Sequence, residues 1–135
     1  MSAPGPREAT RPIIIITGGR DFCPSVAWAD LLRKLYSAHA AATVFEGEAR
    51  GADRFAAAIA RRESIPVHTV PALWDIDGRK RAGPVRNARM LRWAMLLGGE
   101  VIQPVKLFAF PGGRGTADMT ARCVARGVEI VEVRL

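Results

Sequence analysis

Cysteine is scarce in this 135-residue chain: Cys23 and Cys123 stand far apart, and neither has a CxxC partner. Neither they nor His39 and His68 fall into a zinc-ligand spacing, so no metal site is expected. Idle or buried thiols are favoured over a pairing of the two. No apolar run approaches the roughly 20 residues that a membrane helix needs, so no membrane partner is expected. The opening Met1-Ser2-Ala3-Pro4-Gly5-Pro6-Arg7-Glu8 lacks the apolar core of a secretory signal. Residues 1–11 are therefore expected to form a disordered tail, with the cytoplasm as the expected compartment. Also missing are the GxGxxG dinucleotide fingerprint and the Walker GxxxxGK[ST] loop, which disfavours ordinary NAD dehydrogenase and NTPase activity. Neither histidine has a sequence neighbour with which to build a Ser–His or His–Asp constellation.

What remains is a chain with 49% hydrophobic and 24% charged residues, the balance of a soluble globular domain. Its length suits one domain, expected over residues 12–135. The net charge is +7, and Arg79, Lys80, Arg81, Arg86, Arg89 and Arg92 follow one another with no acid between them. Such a block attracts nucleic acid or a polyanionic ligand. Its plainer explanation, above all for Arg89 and Arg92, is a solvated helix face.

Periodicity then places the elements. Pro12 to Ile16 is an isoleucine run, expected as a strand buried on both faces. Ser25 is positioned to cap a helix carrying Trp28, Leu31, Leu32, Leu35 and Tyr36 on one side. Thr43–Glu46 and Val67–Val70 are expected strands, with a helix over Ala52–Arg62 between them. Ala72 to Pro84 is expected to be a long loop. A helix then starts near Pro84 and is expected to stop at Gly98-Gly99. Val105–Phe110 is the fourth strand, followed by a helix from about Gly115 to Arg126 that ends at Gly127. Val128–Val133 is a fifth strand, whose Glu129 and Glu132 suit an edge. Five alternating pairs predict an α/β, three-layer Rossmann-like sandwich, with a five-stranded parallel sheet in the order 3-2-1-4-5. Ligands of such sheets lie beyond the carboxyl ends of the strands, where the order reverses.

Three glycine-rich turns fall at those strand ends. The first is Thr17-Gly18-Gly19-Arg20-Asp21, whose glycines are expected to take positive φ and let the backbone approach a ligand. Arg20 is a candidate anion partner and Asp21 a candidate ribose acceptor; an Arg20–Asp21 salt bridge is the plainer alternative. The second holds Gly47, Glu48, Arg50, Gly51, Ala52 and Asp53, with Arg50 able to close over a phosphate. Asp53 contacts a ligand or merely favours the helix start. The third, Pro111-Gly112-Gly113-Arg114-Gly115-Thr116, opens a helix, whose free N–H groups and dipole suit phosphate. Arg86 and Asn87, near the start of another helix, are candidates to hold a phosphate and a base or ribose edge. Trp74 is a weaker candidate for a stacking lid. Trp93 with Leu96 and Leu97 points to a homo-oligomer, with burial inside one chain the simpler account.

Together ITGGRDF (Ile16–Phe22), GEARGADRFA (Gly47–Ala56), AGPVRNARM (Ala82–Met90) and FPGGRGTADM (Phe110–Met119) resemble the YspA-like, YpsA-related members of the SLOG superfamily. The resemblance spans about Pro12 to Val133. It implies a Rossmann-like domain that binds a nucleotide-derived ligand, such as an ADP-ribose or NAD-related compound, for sensing or processing. No resident cofactor is implied. In this picture the glycines of the first and third turns cradle phosphate, Thr116 donates its hydroxyl and N–H, and Arg20, Arg86 and Arg114 neutralise charge. The superfamily's Lonely Guy phosphoribohydrolases carry PGGxGTxxE with a catalytic glutamate, a position that is Met119 here. An N-glycosidase is thus an alternative resting on Asp118, Glu48 or Asp21 as the carboxylate. Single-stranded nucleic-acid binding is a second alternative, since DprA proteins share the superfamily fold, but few aromatics interleave the basic block.

Overall fold

The computed structural model describes residues 11–135. The expected disordered tail lies, but for Arg11, outside the described residues. Five strands, β1 (Ile13–Thr17), β2 (Thr43–Glu46), β3 (Val67–Thr69), β4 (Val105–Ala109) and β5 (Glu129–Glu132), form one parallel sheet in the order β3-β2-β1-β4-β5. The helices are α1 (Val26–His39), α2 (Ala52–Arg62), α3 (Trp74–Asp77), α4 (Ala82–Val101) and α5 (Arg114–Ala125). This is the predicted α/β Rossmann-like architecture. β1 pairs along its whole length with β4, from Ile13 opposite Val105 to Thr17 opposite Ala109. Its other edge pairs with β2, Ile14 opposite Val44.

The isoleucine run is explained by two separate cores. Ile14 and Ile16 pack with Val44, Phe108 and Phe110 under Leu32 and Tyr36 of α1 and Ala56 and Ile59 of α2. Ile13 and Ile15 face the other way, with Phe45 and Leu107 under Met90 and Ala94 of α4 and Met119 and Cys123 of α5. Alternate residues of a central strand serve opposite faces, so both sets must be apolar. The strand edges are β3 and β5, and Glu129 and Glu132 are exposed as expected. Among the described residues no helix is long and apolar enough to cross a membrane. Both cysteines are free, Cys23 exposed and Cys123 buried, where burial pushes the thiol up to about 11.

Three expectations need correction. The Ala72–Pro84 segment contains the short helix α3, and Arg89 of α4 reaches its Asp77 at 3.8 Å, so Arg89 holds α3 in place. Trp93 and Leu96 are not buried within the chain; they are 48% and 60% exposed. α4 runs past Gly98-Gly99 and ends at Ile102 in the left-handed region (φ 56°), where the N–H of Gln103 donates to Gly98 O at 3.0 Å. Gly98 is there for space: a β-carbon on it would lie 2.9 Å from Gln103 O and 3.1 Å from Val105 Cγ2.

The two neighbouring glycines therefore carry opposite predictions. Gly98→Ala should destabilise by about 1–3 kcal/mol through overpacking. Gly99→Ala, with open space at its β-carbon, should stabilise by about 0.5–1 kcal/mol through helix propensity. Urea unfolding of both variants measures the signs.

Candidate functional site

The loops after β1, β2 and β4 meet at Gly19. Its N–H donates to Pro111 O at 2.9 Å, and its carbonyl accepts from Ala52 N–H at 3.2 Å. The chains approach so closely that side chains are excluded. A β-carbon on Gly18 would collide with Ala52 Cβ and lie 2.7 Å from Phe110 Cβ. One on Gly112 would strike Thr116 Oγ1 and lie 2.8 Å from Gly19 N. Positive φ belongs instead to Gly51 (84°), whose carbonyl starts α2 and whose Cα faces Gly19 O and Arg20 O. The expectation of positive φ at Gly18 and Gly19 is thus corrected: their requirement is close approach. Phe22 anchors the far end of the first loop, with ring centroids 4.9 Å from Trp28 and 5.3 Å from both Phe55 and Phe110.

Beyond the strand ends lies a crevice of about 820 Å³. Of the sequence candidates it brings together Thr17, Gly18, Gly19, Arg20, Asp21, Asp53, Arg86, Asn87, Asp118 and the whole Pro111–Thr116 turn. Gly47, Glu48, Arg50, Gly51 and Ala52 do not line it. Gly51 and Ala52 support the first loop from behind, and Gly47 lies under the Arg86 guanidinium. Glu48 opens onto a different hollow with Glu46, Arg54 and Arg61, which removes it as a carboxylate for this crevice. Residues that the sequence did not single out as site residues also line it, notably Phe22, Lys80 and Met90. Lys80 was visible only as part of the basic block, and Phe22 and Met90 carried only an apolar signal.

The start of α5 is the anion-attracting end. Gly113 is its N-cap and offers no side-chain cap, so the N–H groups of the first turn have no intrahelical acceptor. Thr116 Oγ1 is buried without a hydrogen-bond partner among the described residues. Arg20, Lys80, Arg86 and Arg114 add positive charge to the lining.

The polar side chains of α4 and α5 are more committed than their sequence positions imply. Arg86 Nη1 donates to Gly47 O at 2.7 Å and Nε to Asn87 Oδ1 at 3.0 Å. Asn87, 4% exposed, donates through Nδ2 to Gly115 O at 3.2 Å and Asp118 Oδ2 at 3.0 Å. Asp118 Oδ2 also accepts from Arg122 Nε at 2.9 Å. Asn87 therefore fastens the two helix starts together, and its amide is spent on the protein. Burial pushes the Asp118 carboxyl up, but bonds from Arg122 and Asn87 outweigh it and hold it below the usual range. Burial pulls the Arg86 guanidinium down, against the carboxylate of Asp53. At the mouth, Asp21 pairs with Arg50 at 3.6 Å, both exposed, and not with Arg20. The Arg20 guanidinium lies 5.1 Å from the Trp74 ring centroid, covering the face expected to stack on a base.

Asp53 is different. It is 5% exposed, its Oδ2 accepts from Gly47 N–H at 3.2 Å and Ala49 N–H at 3.3 Å, and burial pushes its carboxyl up to about 6 despite the nearby Arg86. Its position at the start of α2 thus organises the second loop.

The family model described as YAcAr, the YspA, cpYpsA-related SLOG family, matches residues 12–76. Over those residues the chain is similar to the SLOG family. The matched segment runs from β1 into α3 and contains the first two loops, Gly19 and Asp53; the loop after β4 follows it. No curated protein matches the chain. Among solved structures, the X-ray structure of DNA processing protein A (DprA) from Streptococcus pneumoniae is similar at 16% identity and a TM-score of 0.47. The match covers 91% of this chain and 59% of that one, so this chain spans less than two thirds of that protein's length.

Asp53 yields a pH prediction. Its folded pKa, about 6, lies above the unfolded value near 3.8, so its contribution is fully present below that value and lost as pH rises through 6. Between pH 4 and 7 the wild type should lose about 2 kcal/mol that Asp53→Asn does not lose. The asparagine oxygen still accepts the Gly47 and Ala49 N–H groups. Urea unfolding across that range checks the difference; equal pH slopes would contradict it.

Proposed function

We propose that the crevice binds the phosphate of a nucleotide-derived ligand, of the ADP-ribose or NAD-related kind, for sensing or processing. The observation that carries this reading is the uncapped start of α5, with the unpartnered Thr116 hydroxyl beside it, in a crevice lined by four cations. Backbone N–H groups and a helix dipole are fixed charges that need no reorganisation to receive an anion. Gly19 and Gly112 keep side chains out of the cradle, and Arg114 and Lys80 extend from its rim. The likeness of residues 12–76 to the SLOG family supports the same ligand class.

Binding without turnover is favoured over N-glycosidic cleavage. Asp118 is held by Asn87 and Arg122, Asp21 pairs with Arg50 at the surface, and Met119 is fully buried in the core. Asp118 is committed to the protein, Asp21 lies fully exposed beside Arg50, and a methionine cannot act as a general acid or nucleophile.

Thermal unfolding with ADP-ribose, NAD, AMP and a short DNA single strand, each mixture analysed for released base, tests this. Ligand at hundredfold excess over Kd should stabilise by about 2.7 kcal/mol and leave the ligand intact. Released base would transfer the proposal to a glycosidase; stabilisation by the single strand alone, or by nothing, would contradict the phosphate cradle. Gly113→Asp separates fold from function. Open space surrounds the β-carbon position, so no clash arises, and the carboxylate caps α5. The free variant should gain about 0.3 kcal/mol while its ligand-induced shift disappears.

A further inference from the structure

One buried acid faces a crevice that also holds four cations and the start of α5. Asp53 is 5% exposed and lines the crevice. Both loop N–H groups go to its Oδ2. Oδ1 has no hydrogen-bond or ion-pair partner among the described residues and is not among their buried unpartnered atoms, so it opens onto the crevice. A carboxylate there repels a bare polyphosphate. It does the reverse for neutral hydroxyls, which donate charge-assisted hydrogen bonds to it. Its distance from the phosphate cradle is governed by one residue. Ala52, next to Asp53, donates to Gly19 O at 3.2 Å, and Gly19 donates to Pro111 O at 2.9 Å. The acid and the start of α5 therefore flank Gly19, with the apolar surfaces of Ile16 and Met90 in the same lining.

We propose that Asp53 makes the crevice selective for phosphorylated sugars: its free oxygen accepts the hydroxyl hydrogens of a sugar whose phosphate sits at the start of α5. This rests on the phosphate-binding reading above. The burial that favours the protonated acid in the empty crevice is offset when a sugar hydroxyl donates to the carboxylate. A nucleotide and a free sugar phosphate share this chemistry.

The test is calorimetric titration of the full chain with inorganic pyrophosphate, ribose 5-phosphate, ADP and 2′,3′-dideoxy-ADP. The wild type should bind ADP roughly tenfold more tightly than dideoxy-ADP, the scale of one hydrogen bond to a charged group. In Asp53→Asn that ratio should collapse towards unity, while pyrophosphate binds as well or better. ADP above ribose 5-phosphate assigns the sugar to a nucleotide, and the reverse assigns it to a free sugar phosphate; either supports the proposal. An undiminished ADP preference in Asp53→Asn, or none in a wild type that binds pyrophosphate, overturns it and leaves Asp53 a clamp for the second loop. Failure of pyrophosphate and ADP alike removes the phosphate reading and this inference with it. Should the variant not fold, the carbon-13 resonance of the Asp53 carboxyl in wild type decides. It should move with ADP and not with dideoxy-ADP, and equal movement contradicts the proposal.

Discussion

Everything at the carboxyl end of the sheet depends on two backbone hydrogen bonds that tie Gly19 to other loops, one to Pro111 O and one from Ala52 N–H. They join three loops that the sequence separates by about 30 and 60 residues, and leave no room for a side chain at Gly18 or Gly112. Because β1 is central and paired on both edges, its last residues cannot shift without disturbing both neighbours. Phe22 fixes the same loop from the other side through its ring contacts. The crevice is thus a consequence of strand order: β1 and β4 are adjacent and their following helices lie on opposite faces, so their loops diverge around an open space.

Electrostatics then divides the crevice. A hydrogen-bonded series from Gly47 O through Arg86, Asn87 and Asp118 to Arg122 fastens α4 and α5 to the β2 loop. Satisfied polar networks of this kind rigidify their surroundings, since breaking one member leaves the others buried and unpaired. Outside the series, Thr116 Oγ1 and Asp53 Oδ1 have no hydrogen-bond partner among the described residues, and the first N–H groups of α5 have no intrahelical acceptor. The proposed binding site is these groups, which the protein does not itself satisfy.

Local pattern was sufficient for the architecture. The isoleucine run, the helical spacing of Trp28 to Tyr36 and the glycine turns at strand ends lead directly to the sheet order and to most of the crevice lining. What local pattern could not show was long-range pairing. Arg86 and Asn87 look like ligand groups beside Pro84, yet their partners lie 28 to 39 residues away on other elements. Arg20 faces Trp74 and Asp21 faces Arg50, choices made by folding and invisible in the turn itself. Gly98 reads as a helix stop until Gln103 and Val105 are seen to pass against it. Asp53 looked like a helix-start acid, and its distinction comes from burial, which no single-residue signal carries.

The central claim is that anions are received by the first turn of α5 beside Gly19. Backbone amide shifts of the full chain, followed by nuclear magnetic resonance as pyrophosphate is added, test it most directly. The account predicts saturable changes largest at Gly113, Arg114, Gly115 and Thr116, with Gly19 next. Changes confined to the Arg79–Arg81 block, or spread without saturation over the basic surface, would contradict it.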